Sequence, residues 1–320
     1  MGLMELSSDL ALTSLGWNLS LSWQESLCGQ QFLLAATNAP TASESPGVLV
    51  GSLQAIVLGL VQGITEFLPI SSTAHLLVFT KVLGWNLLGE KYFVDAIQFG
   101  SVLAVVLYFW TDIGLILRGA WEAYREKNWQ QEEWKILVGI AIGTLPALLG
   151  GLLIKRFVPE GALEGARVIA IASIVMAGLL GLAEKIGSRK RRFDDLNILD
   201  GILVGLGQAI ALIPGASRSG STLTTALFLG LERQTAARFS FLLGIPTLTI
   251  ATLYESKEVV KHLDLVVPLL VGMASTFAFS YLSIAWLLKY LQRKDTWIFV
   301  WYRLAFGTAL LTAAFAGALK

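Results

Sequence analysis

Six stretches of this chain run uncharged over lengths suited to a lipid bilayer: 96–110, 136–154, 168–183, 239–254, 265–288 and 297–319, the last broken only by Arg303. At about 1.5 Å of rise per residue, against a hydrocarbon core of about 30 Å, such runs read as spanning helices, the shorter ones completed by flanking polar residues that snorkel. Composition agrees, with 55% apolar and 15% charged residues. So few charges cannot coat a water-soluble surface of 320 residues. The expected fold class is therefore an all-α integral membrane protein.

Other classes fall away on the same count. With 24 Lys and Arg against 23 Asp and Glu, no broad basic field exists to hold nucleic acid. One cysteine, Cys28, excludes a disulfide framework or a Cys-based zinc site, and two histidines, His75 and His262, are too few for a multi-His metal centre. Catalysis must use carboxylates, hydroxyls, arginine and at most two imidazoles.

Residues 1–48 differ from the rest, carrying Glu5, Asp9, Glu25 and Glu44 but no Lys or Arg. Without a positive n-region they do not read as a secretory signal. They read as an accessory tail and linker, with a candidate interfacial helix around 10–23.

Two further apolar stretches, 53–68 and 198–213, look too short and broken to cross alone. The first runs into Pro69-Ile70-Ser71-Ser72-Thr73 and the second into Pro214-Gly215-Ala216-Ser217-Arg218-Ser219-Gly220. A helix must stop at such a cluster, and its freed backbone groups are tolerated at membrane depth only inside protein or beside a wet cavity. Both are expected to be re-entrant helix hairpins. An offset of 146 aligns Gly59 with Gly205, Gln62 with Gln208, Ile64 with Ile210 and Ser71 with Ser217, which signals an internal duplication. The expected organisation is two membrane repeats, 49–185 and 196–320.

Charge bias sets the expected orientation. The Lys and Arg of loops 111–135 and 185–192, with Arg233, Arg238, Lys289, Arg293 and Lys294, fall on one face. The smaller set of Lys81, Lys91, Lys155, Arg156, Arg167, Lys257, Lys261 and Lys320 falls on the other. By the positive-inside rule the first face is cytoplasmic. The hairpins then enter from opposite sides, giving inverted-topology repeats whose tips meet near the midplane.

What converges there is polar. The first tip brings Gln62, Glu66, Ser71, Ser72, Thr73 and His75, and the second brings Ser217, Arg218, Ser219, Ser221 and Thr222. Ionisable residues at depth cost at least about 2.5–3.5 kcal/mol each, so they are functional candidates by default. Gln62 and Glu66 are four apart and share a helical face. Arg218, flanked by hydroxyls before a new helix, offers a guanidinium fork beside backbone N–H donors, the makings of a phosphate cradle.

The stretch from Leu58 to His75, LGLVQGITEFLPISSTAH, resembles the (E/Q)xxxE signature region of the undecaprenyl-diphosphate phosphatase family, the bacitracin-resistance type. The stretch from Pro214 to Thr222, PGASRSGST, is similar to its PGxSRSxxT motif. The resemblance covers about residue 50 to the C-terminus. It implies removal of the terminal phosphate of a polyprenyl diphosphate at the outer side of the bacterial cytoplasmic membrane, which recycles the lipid carrier for cell-wall synthesis. It also implies Glu66 as the essential glutamate, Gln62 as the E/Q position, Ser72 as nucleophile, His75 as acid/base or nucleophile, and Arg218 as the phosphate-binding arginine. Partners are the lipid substrate and membrane lipids, with a homodimer left open. A Mg2+ or Ca2+ ion on Glu66 and Gln62 is also left open, weakened by the neutral amide of Gln62.

From the residues themselves, Arg218 with the Ser217 and Ser219 hydroxyls and the helix N-terminus is expected to hold the distal phosphate, and Gln62, Ser71, Thr73 and Thr222 are further substrate-binding candidates. Ser72, or an activated water, attacks in line with Glu66 or His75 as base. Blander readings stand beside these. Glu66 could be a structural carboxylate paired with Arg218 or Arg303, and the hydroxyls could simply bond helix carbonyls. Arg303 reads as a structural ion pair or a snorkelling residue, His262 as a solvated loop residue, and Tyr302 as an interface anchor beside Trp301. A secondary transporter or flippase for an anionic lipid or small anion is the alternative function, because broken helices at an inverted-repeat midplane also serve transport.

Overall fold

In lipid every backbone polar group needs a partner within the protein, which leaves helix as the form open to long apolar segments. The computed structural model describes residues 48–85, 91–159, 161–255 and 266–317. The expectations for the N-terminal tail, His262, Lys257, Lys261 and Lys320 lie outside those residues. Within them the chain forms eleven α-helices and one 3-10 turn, Phe193–Asp195, with no strand. The helices are α1 (Val48–Phe67), α2 (Ser72–Leu83), α3 (Lys91–Tyr108), α4 (Trp110–Glu126), α5 (Glu132–Phe157), α6 (Ala166–Ile186), α7 (Ile198–Ile210), α8 (Arg218–Phe228), α9 (Arg233–Glu255), α10 (Val266–Leu291) and α11 (Trp297–Phe315).

Among the described residues six helices are long and apolar enough to cross a membrane, α1, α5, α6, α9, α10 and α11, and the bent pair of α3 and α4 makes a seventh if taken as one span. The number matches expectation but the membership does not. The stretch at 53–68 is extended by Val48–Ser52 into a 20-residue helix, so α1 has spanning length although it looked too short. The run at 96–110 is not one straight helix, because α3 stops at Tyr108 and α4 departs at 62°; the two reach spanning length and hydropathy together. The segment 111–135, expected as a loop, is largely α4. Its apolar positions recur at helical spacing, with Ile116, Ala120 and Ala123 buried, and charges interrupt the run without interrupting the helix. The second broken stretch is short as expected, 13 residues in α7.

Helix packing repeats itself between the halves. Helix α1 packs on α10, which also packs on α3, while α7 packs on α5, which also packs on α9. Close approach explains the aligned glycines. A Cβ at Gly59 would fall 2.6 Å from the carbonyl oxygen of Gly272 on α10, and one at Gly205 would collide with the carbonyl of Gly143 on α5. The helices α6 and α11 pack on each other and brace the two tips.

Candidate active site

Each tip is a turn followed by a serine with positive φ. Ser71 (φ 76°) and Ser217 (φ 72°) cap α2 and α8, their hydroxyl oxygens accepting from the N–H of Ala74 and Gly220. Left-handed backbone is costly for a non-glycine residue, so both turns hold strain that surrounding contacts must support. That support comes partly from Ser219, whose hydroxyl lies 3.1 and 3.0 Å from the carbonyl oxygens of Glu66 and Leu68, stitching the second tip to the end of α1.

Glu66 is the hub of the cluster. Its Oε2 accepts from Ser72 Oγ at 2.8 Å and from Gln62 Nε2 at 3.1 Å, and its Oε1 accepts from Arg218 Nη2 at 3.2 Å. The pair is buried but not sealed, with side-chain exposure of 8% for Glu66 and 13% for Arg218. Residues 152 positions apart are thus joined by charge. The guanidinium carbon also sits 5.9 Å from the centre of the Phe67 ring. Within the cluster, two buried polar atoms have no partner among the described residues, the Oε1 of Gln62 and the Nε of Arg218, so it keeps a free acceptor and a free cationic donor.

Not every expected group joins this hub. His75 is buried three residues beyond Ser72, but its Nδ1 lies 2.7 Å from the carbonyl oxygen of Ser71 and its Nε2 lies 2.6 Å from the Tyr302 hydroxyl. Neither ring nitrogen meets Ser72. Thr73 is exposed and makes no hydrogen bond to the cluster among the described residues. Thr222 bonds the carbonyls of Arg218 and Ser219, and Ser221 bonds that of Ser217, the local back-bonding open to hydroxyls on a helix. Ser217 Oγ lies 3.3 Å from Ser219 Oγ.

Arg303 corrects the sequence reading most. It is fully buried, so it does not snorkel, and no carboxylate pairs with it among the described residues. Its guanidinium donates to the carbonyls of Pro69 at 3.1 Å, Gly215 and Ala216 at 3.0 Å each, and Ser173 at 3.3 Å. One side chain from α11 thereby ties both tips to α6. Its sequence signal was the lone charge in an otherwise uncharged run. Tyr302 had no such signal and looked like an interface anchor. Gly244 was also missed. A Cβ there would collide with Arg218 Nη1, so the bare backbone of α9 lets the guanidinium lie where it reaches Glu66. Gly244→Ala is expected to push Arg218 off Glu66 and lower about tenfold the activity that depends on this cluster, with folding retained, read by steady-state assay and thermal unfolding in detergent.

An acid, an alcohol and a guanidinium meeting between two turns of a polytopic, apolar helical protein make a site suited to an anionic group. More particularly, this chain belongs to the family described as "Bacitracin resistance protein BacA", whose profile matches residues 55–309. It is 59% identical to the undecaprenyl-diphosphatase of Thermosynechococcus vestitus over 84% of this chain and 97% of the relative. It is 50% identical to that of Trichodesmium erythraeum over 83% and 87%, and 50% identical to that of Synechocystis sp. over 88% of each chain.

Proposed function

We infer that this protein is an undecaprenyl-diphosphate phosphatase, hydrolysing the lipid diphosphate to monophosphate and inorganic phosphate and so returning the carrier to cell-wall synthesis. The observation that carries the reading is the three-way contact of Ser72, Glu66 and Arg218. In the proposed reaction Arg218 leaves Glu66 for the distal phosphate, aided by its free Nε, and offsets the charge that phosphoryl transfer spreads over the equatorial oxygens. Ser72 Oγ forms a bond to the distal phosphorus as Glu66 takes its proton. The bridging P–O bond breaks, and the prenyl monophosphate leaves. Water then attacks the phosphoserine, the P–Oγ bond breaks, Glu66 returns its proton to Oγ to restore the serine hydroxyl, and the water's hydrogens leave on inorganic phosphate. Glu66 is favoured over His75 as base by its 2.8 Å contact with the hydroxyl.

The residues do not make a resident divalent-metal site. Glu66 is the one carboxylate in the cluster, both its oxygens are engaged, and Arg218 adds positive charge 3.2 Å away. A Mg2+ or Ca2+ ion would have to arrive on the substrate's own diphosphate oxygens, with Gln62 Oε1 as the protein's added ligand.

The orientation proposed is a multi-pass protein of the cytoplasmic membrane whose site opens to the outer face. The Lys and Arg bias supports it, as does the matching packing of α1 on α10 and α7 on α5, which suits inverted repeats with re-entrant hairpins. Protein purified in detergent is expected to release phosphate from undecaprenyl diphosphate. A transporter needs a sealed bilayer and would release none, so a null result there returns the reading to transport.

A further inference from the structure

We propose that Tyr302 is a positioning residue for this reaction, acting through His75 on the turn that carries Ser72. The Ser71 carbonyl oxygen only accepts, so the 2.7 Å contact from His75 Nδ1 fixes the proton on that nitrogen. In the neutral ring Nε2 is then an acceptor, and the Tyr302 hydroxyl at 2.6 Å donates to it. The imidazole is held flat as well as bonded, parallel to Phe306 with centres 4.2 Å apart and to Tyr302 at 5.6 Å. The next residue on α11, Arg303, donates to the Pro69 carbonyl.

Two adjacent residues of the last helix therefore hold two carbonyls of the first tip, one directly and one through His75. The Ser71 peptide plane leads into Ser72, whose hydroxyl must point at Glu66, and Ser71 sits at φ 76°, where the backbone does not hold itself. Without the tyrosine hydroxyl, His75 gains access to the tautomer protonated at Nε2. That form turns the Nδ1 lone pair onto the Ser71 carbonyl and releases the turn.

This inference rests on the phosphatase reading, and its test separates the two. Tyr302→Phe keeps the ring and removes the hydroxyl. Steady-state hydrolysis in detergent is expected to show kcat lower by about tenfold, the effect of one neutral hydrogen bond, with KM within about twofold of wild type and the thermal midpoint preserved. Histidine labelled with 15N reads the mechanism directly, because the chain has two histidines and His262→Asn assigns the signals. Wild type is expected to show His75 protonated at Nδ1 with Nε2 hydrogen-bonded, and Tyr302→Phe to lose the Nε2 hydrogen bond and gain the other tautomer. Unchanged kcat, a rise in KM that accounts for the loss, a wild-type ring protonated at Nε2 alone, or identical 15N signals in the variant would each overturn the role of Tyr302. Wild type that releases no phosphate overturns the phosphatase reading instead. The wild-type 15N spectrum needs no folded variant and stands apart from activity.

Discussion

Glu66→Gln is expected to lower kcat by about 10²–10⁴-fold, the range for losing a positioned general base, while KM stays level or falls. The amide matches the carboxylate in shape, so the folded protein should survive. What changes is the proton acceptor for Ser72 Oγ and the counter-charge for Arg218, which share this one side chain. A guanidinium relieved of its carboxylate is freer to meet a phosphate, hence the expected direction of KM. Arg218→Ala should differ in kind, raising KM as well as lowering kcat, because it removes the phosphate's cationic ligand and leaves Glu66 as a buried, uncompensated anion. Steady-state phosphate release from detergent-purified variants distinguishes the two patterns. Full activity of Glu66→Gln would remove Glu66 from the chemistry and leave its pairing with Arg218 as a structural contact.

That Glu66 and Arg218 come together was legible because both lie in broken, hydroxyl-rich segments of an apolar chain. Such segments have nowhere to go but toward each other. Hairpin limbs were less legible. Val48 to Ser52 carry turn-compatible Gly51 and Ser52, yet they extend α1 to spanning length. The α3–α4 bend was hidden because Phe109, at the bend, is as apolar as its neighbours. The roles of Arg303 and Tyr302 could not be read at all from side-chain chemistry. Arg303 binds four main-chain carbonyls, and a carbonyl is identical at every residue, so no partner residue in the sequence announces the contact. Tyr302 meets His75 across 227 positions. The same limit applies to the expected phosphate-binding hydroxyls. Their number was visible, but which ones stay free depends on backbone acceptors within one turn, and Thr222 turned to those.

Arg303→Leu should then produce the largest loss of stability of any single change outside the reacting groups. Leucine leaves the buried carbonyls of Pro69, Gly215 and Ala216 without the donor they share, while the Ser173 carbonyl, inside α6, keeps its helical N–H. An unsatisfied buried carbonyl costs about 1–3 kcal/mol. Relaxation recovers part of three such penalties, so a net loss on the order of 3–5 kcal/mol is expected, among the largest that single substitutions reach. Arg303→Lys keeps the charge and three donors but loses the planar fork that reaches both tips, so it should fall between leucine and wild type. Thermal unfolding in detergent orders the three. Because both strained serines lie beside the carbonyls Arg303 holds, activity in the lysine variant should fall further than its stability does, as the tips lose register before the bundle opens. If Arg303→Leu melts with wild type, the tips hold themselves, and the strain at Ser71 and Ser217 must be supported from within each hairpin.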